Sequence, residues 1–148
     1  MHIEVVGAAD TYDLRRRVLR QGRPDAHVSF AGDRSAGAFH LAVRSAPGGD
    51  LVAVASFSPE PAAARPGRQA VRLRGMAVDP MWQGQGLGRL LFEEAVSRLR
   101  QAGADVLWAN ARDSALGFYV RLGMEVVGEG FVPAASGVPH HVVVLDLG

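Results

Sequence analysis

The sequence predicts an α/β protein: a mixed, mostly antiparallel sheet of about six to seven strands with helices on both faces. Three observations predict it. Short apolar or alternating stretches recur along the chain as strand candidates. Between residues 69 and 109 a strand, an amphipathic helix and a second strand follow one another, which makes a right-handed crossover between parallel strands. The strands before that unit are joined by hairpins, which makes them antiparallel.

His2–Val6 reads as the first strand. Asp10 or Thr11 can cap a helix to about Arg20, closed by Gly22 and Pro24. Residues 22–37 carry Gly, Pro, Asp and Ser and read as loop. In Ala38–Arg44, Phe39, Leu41 and Val43 share one face, with His40 and Arg44 on the other. Pro47-Gly48-Gly49-Asp50 is a hairpin turn into the strand Leu51–Phe57. Ser58–Arg68 is a surface loop, and Gln69–Val78 is the next strand. Gly86–Ala102 carries Leu87, Leu90, Leu91, Ala95 and Leu99 at helical spacing, with Glu94 and Arg98 as an outward pair and Gly103 as its stop. Asp105–Ala109 is a strand. Asp113 or Ser114 caps a helix through Leu122, and Met124–Gly128 and His141–Leu147 are the last strands. No internal repeat or second domain interrupts residues 1–148, which read as a single domain.

Composition narrows the function classes. At 148 residues and 48% hydrophobic the chain can bury a core. A net charge of +1 gives no global field for nucleic acid or an anionic membrane. Arg15, Arg16, Arg17, Arg20 and Arg23 cluster in the first helix and read as a solvated face. There is no cysteine, which excludes disulfides, zinc–thiolate sites and a cysteine nucleophile, and no metal is expected. With no secretory signal pattern and no apolar run of about 18 residues, the expectation is a soluble, cytoplasmic protein.

The most informative stretch is Gln83-Gly84-Gln85-Gly86-Leu87-Gly88-Arg89, between a strand and a helix. Alternating glycines permit positive φ and let a ligand approach the backbone. The helix that follows presents unpaired N–H groups and the positive end of its dipole. Together these make a phosphate site. A dinucleotide-binding fold would need its glycines after the first strand, with an acidic end to the next one. A Walker loop would need G-K-[ST], which is absent.

Gln83-Gly84-Gln85-Gly86-Leu87-Gly88, led in by Met76-Ala77-Val78-Asp79-Pro80, resembles the [QR]-x-x-G-x-[GA] signature of the GCN5-related N-acetyltransferase family. Phe118-Tyr119-Val120-Arg121-Leu122-Gly123-Met124 resembles that family's F-Y-x-x-x-G-F segment. Gly137-Val138-Pro139-His140 is similar to a late turn in small bacterial members. The resemblance implies an N-acetyltransferase that moves an acetyl group from acetyl-CoA directly to a primary amine, on a small molecule or a peptide. It implies a sheet whose fourth and fifth strands are parallel and splayed. The backbone of Gln83, Gly84, Gln85, Gly86, Leu87, Gly88 and Arg89 would hold the pyrophosphate, and Met76, Ala77 and Val78 would pair with the pantetheine arm. Asn110 or Arg112 would add a coenzyme contact. Tyr119 would be the general acid. Late edge strands in the family leave room for a homodimer. The alternative is a CoA-binding sensor or assembly subunit without turnover.

The general base is less legible. Residues 71–76 contain no carboxylate, although many family members carry a Glu there. By alternation Arg72, Arg74 and Met76 share a face, and Arg74 near the acceptor would favour an anionic one. His140 is the first base candidate, ahead of His141, His40 and Glu129; one of the two adjacent histidines must point out of the strand. Asp25 and Asp33 could instead meet a cationic amine or be ordinary loop residues.

Overall fold

In the computed structural model, residues 2–24 and 26–148 are described; Asp25 lies outside them. The strands are β1 (Ile3–Val6), β2 (Phe39–Arg44), β3 (Leu51–Pro59), β4 (Ala70–Val78), β5 (Val106–Arg112), β6 (Glu125–Phe131) and β7 (His140–Asp146). Hydrogen bonding orders them β1-β2-β3-β4-β5-β7-β6 in one seven-stranded sheet. β4 and β5 are parallel through Ala70–Val106, Val71–Leu107 and Arg72–Trp108, where their ladder ends. The β1–β2, β2–β3, β5–β7 and β6–β7 pairs are antiparallel. The mixed sheet and its parallel pair match the sequence expectation. No helix among the described residues is long and apolar enough to cross a membrane.

The chain clusters into two compact units, Met1–Pro59 with Leu73–Arg98, and Glu60–Arg72 with Leu99–Gly148. In the first unit, His40, Leu41, Ala42 and Val43 are buried in succession, so both faces of β2 are covered. One cover is the helical segment 8–19, whose Leu14 packs with Ala42, Val54 and Ala77. That segment is a 3₁₀ turn (Ala8–Thr11), an α turn (Tyr12–Leu14) and a π stretch (Arg15–Leu19). Gly7 N–H donates to Asp10 at its start. The long helix α2 (Leu87–Gln101) buries Leu87, Leu91, Phe92, Ala95, Val96 and Leu99. Leu90, expected on the inner stripe, is exposed, and Phe92 and Val96 are buried instead.

In the second unit Trp108 packs with Ala62, Ala70, Val106 and Val144. Its indole N–H donates to the Glu60 carbonyl at 2.9 Å, and Arg72 lies over the ring while pairing with Glu60. A 3₁₀ turn Asp113–Ala115 leads into helix α3 (Leu116–Arg121). β6 is largely exposed and stands at the end of the strand order, the edge position the resemblance implies.

Candidate active site

The turn between β4 and α2 is determined residue by residue. Gly84 and Gly86 have φ of +81° and +80°, the left-handed region that costs an L side chain roughly 1–2 kcal/mol. A Cβ added at either would meet nothing within 4 Å, so backbone conformation, not crowding, requires glycine there. Gly88 lies within α2 and is buried. The loop is pinned at its start. Gln83 Nε2 donates to the Val78 carbonyl at 3.1 Å. Asp79 accepts from Met81 N–H at 2.9 Å and from Arg17 at 3.1 Å, while its own N–H donates to Val52 O. The Met81 N–H bond and the Arg17 guanidinium hold its carboxyl below the usual range. α2 then begins at Leu87, whose side chain is core, leaving the first-turn N–H groups directed along the axis toward the turn.

On β4, Met76 and Val78 are half-buried and Ala77 is core. The expected alternation fails at Gly75, where φ is +64°. Arg74 lies with its guanidinium 4.6 Å from the Phe30 ring centroid. A Cβ on Gly75 would come within 2.8 Å of the same ring and 3.0 Å of Arg15. Two successive residues therefore face the same group, as at a bulge, and Arg72, over Trp108, does not share Arg74's surroundings. Arg89 is exposed and pairs with Glu93 at 3.5 Å. Asn110 is half-buried and Arg112 exposed on β5, opposite Val142 and His140.

Tyr119 on α3 is buried, edge-on to Phe118 with centroids 5.1 Å apart. Burial pushes its phenol up to about 12, so it carries its proton throughout the neutral range. His140 is 9% exposed and opens β7. Its Nδ1 lies 2.8 Å from the Val138 carbonyl, which can only accept. Nδ1 is therefore protonated, and in the neutral ring Nε2 carries the lone pair a base needs. His141 Nδ1 instead hydrogen-bonds the Asp113 carboxylate at 2.7 Å, and the N-cap position of α3 falls on Ala115, with no side-chain cap. Glu129 lies exposed on β6.

One shallow cleft of the first unit, with no enclosed space for a water-sized ligand, is lined by Ala31, Asp33, His40, Ser56, Phe57, Ser58 and Arg74. Beneath it Arg15, far from solvated, is fully buried. Its two Nη atoms donate to Asp33 at 2.7 and 2.9 Å, to the Val28 carbonyl at 2.7 Å and to Ser56 Oγ at 2.6 Å. Its guanidinium stands 4.1 Å from the Phe30 centroid. Ser56 Oγ contacts His40 Nδ1 at 2.7 Å, and His40 Nε2 donates to the Asp33 carbonyl at 3.0 Å. Burial alone would raise Asp33; its bonds from Arg15 and Phe30 N–H and the nearby positive charge outweigh that and lower it. Sequence reasoning missed Arg15, although Thr11, Leu14, Arg15 and Val18 fall on one helical stripe.

The profile of the acetyltransferase (GNAT) family matches residues 8–124. The chain belongs to that family. YitI of Bacillus subtilis (strain 168), described as an uncharacterized N-acetyltransferase, is 33% identical over 144 residues, 97% of this chain and 93% of that one. The GNAT fold recurs in FeeM, an N-acyl amino acid synthase from uncultured soil microbes (TM-score 0.80, 15% identity, covering 99% of this chain and 95% of that one). It recurs again in an aminoglycoside 6'-N-acetyltransferase complexed with coenzyme A (TM-score 0.77, 12% identity, covering 100% and 98%). In this GNAT chain the glycine turn and Tyr119 stand on the elements that the two sequence motifs imply.

Proposed function

We propose that residues 1–148 form one cytoplasmic catalytic domain that transfers an acetyl group from acetyl-CoA directly to a primary amine. The observation that carries this is the β4–α2 turn, where two positive-φ glycines in open space precede a helix start. Such a turn suits a pyrophosphate held by main-chain N–H groups from Gly84 to Arg89. The pantetheine amides would pair as an added strand with the backbone of Met76, Ala77 and Val78. Asn110 or Arg112 would contact the coenzyme beyond that arm.

In the transfer, the amine nitrogen attacks the thioester carbonyl, a C–N bond forms, and the C–S bond breaks. The leaving sulfur takes a negative charge and the new amide sheds a proton. Tyr119 would face the sulfur. Its value of about 12 makes it a weaker acid than a thiol of ordinary pKa, about 8.5. It therefore serves first as a hydrogen-bond donor to the developing thiolate. His140, with Nδ1–H committed to Val138, would take the proton from the amine through Nε2.

A thiol-release assay with acetyl-CoA across a panel of amines tests the reading, beside calorimetry with CoA. Turnover with one amine class supports it. Tyr119→Phe and His140→Ala should each lower kcat about 10²-fold. CoA binding with no turnover on any small or peptide amine would favour the sensor reading.

A further inference from the structure

We propose that Arg17 is a positioning residue of the coenzyme site: through its ion pair with Asp79 it holds the β4–α2 turn in the shape that receives the pyrophosphate. This rests on the acyl-transfer reading above and adds to it a residue outside both sequence motifs. The helical segment 8–19 meets β4 and its exit at three alternate positions. Arg15 faces Gly75, where an added Cβ would come within 3.0 Å of its Nε. Leu14 shares a core cluster with Ala77. Arg17 Nη1 donates to Asp79 at 3.1 Å. At helical spacing Arg15 and Arg17 flank Leu14 on its two sides, so one short segment grips the chain from 75 to 79. Met76 and Val78, half-buried between those grips, carry the backbone that would pair with the pantetheine arm.

The third grip reaches the turn itself. Asp79 uses its two oxygens separately: Oδ1 accepts from Met81 N–H at 2.9 Å and Oδ2 from Arg17. The carboxylate thus ties the first residues of the turn to the helical segment. Arg17 is aimed in advance, because Asp13, one helical turn back, holds its Nε at 3.0 Å. Packing does not replace this tie. Arg17, Asp79, Leu51, Val52 and Trp82 line an open space of about 390 Å³, so that flank of the turn is not closed by side chains. Beyond it Gly84 and Gly86 have more backbone freedom to lose than other residues would. An anchor at the entry removes part of that freedom before the ligand arrives. The Arg17 charge is itself engaged by two acids, so it acts through Asp79 and not on the phosphates.

The test is a double-mutant cycle read by calorimetry with CoA, and by thiol release for the acetyl-CoA KM and kcat. It uses the wild type, Arg17→Gln, Asp79→Asn, the two together, and Arg17→Lys. Arg17→Gln should weaken CoA about threefold, through the acetyl-CoA KM more than kcat. Arg17→Lys should recover about half of that loss or more, since one charged donor suffices at Oδ2. With Asp79→Asn already present, Arg17→Gln should change CoA affinity by less than about 1.5-fold, because the tie is already cut. Thermal unfolding of Arg17→Gln should stay within about 2 °C of the wild type, which separates positioning from loss of the fold. Unchanged CoA affinity in Arg17→Gln overturns the proposal. So does an equal loss with and without the Asp79 acid, which would make Arg17 a direct partner of the phosphates, or a lower kcat with KM unchanged. Where no amine supports turnover, the calorimetric cycle decides alone. Failure of the wild type to bind CoA would overturn the acyl-transfer reading itself, on which the role of Arg17 depends.

Discussion

The glycine turn and the cleft over the Arg15–Asp33 pair both draw on β4, yet they are held by opposite means. The turn is local. Its shape comes from Gly84 and Gly86 at positive φ, a side-chain clasp from Gln83, and an acid that caps its entry. The cleft is assembled from residues far apart in sequence: Arg15 from the first helical segment, Asp33 from a loop, His40 from β2, Ser56 from β3 and Arg74 from β4. A turn built locally tolerates change around it. A cleft built on a buried ion pair does not, because removing one partner strands the other charge.

The largest expected effect breaks the cleft. Asp33→Ala leaves Arg15 buried and uncompensated and should cost about 3–5 kcal/mol in urea unfolding. A double replacement of Arg15 and Asp33 by apolar residues should recover much of that loss. A cost near zero for Asp33→Ala would mean that the pair does not organise this region. The same pair predicts acid sensitivity. Asp33 is lowered in the folded state, so its contribution is full above the unfolded carboxyl value, about 3.9, and fades as pH falls through the folded one. Unfolding midpoints between pH 6 and 3 should show this slope in the wild type, and less of it in the double replacement.

The next effect separates turn from cleft. Gly86→Val adds a side chain at φ +80° in open space. It should lower stability by about 1–2 kcal/mol and weaken CoA at least about tenfold, leaving the Arg15–Asp33 network intact. Calorimetry beside thermal unfolding reads both; unaltered CoA affinity would remove the turn from the coenzyme site. The smallest effect is Gln83→Ala, which frees an exposed clasp and should cost about 1 kcal/mol or less in CoA affinity.

Much of the fold and of the phosphate turn was legible because the signals are periodic or local. Apolar alternation, the helix spacing of 87–99, and glycines before a helix start each reflect the backbone of a few consecutive residues. The element order and the parallel crossover followed from them. Leu90 shows the limit: helical spacing allowed it on the inner stripe, and packing gave the place to Phe92. Arg15 shows it more sharply. Charge placed it on a solvated face, yet it is fully buried because Asp33, Ser56 and the Val28 carbonyl converge on it from elsewhere in the chain. At β4 alternation could not anticipate Gly75, whose positive φ turns Arg74 toward Phe30.

By itself the sequence determined the strand and helix order, the glycine turn and the position of Tyr119 on a late helix, since each is written in neighbouring residues. Tertiary structure alone decided that Arg15 is buried, that His140 carries its proton on Nδ1, and that Asp33, His40 and Arg74 share one cleft. Those outcomes depend on which partners meet across the fold, and a buried charge or a ring tautomer takes its state from its partners rather than from its place in the chain.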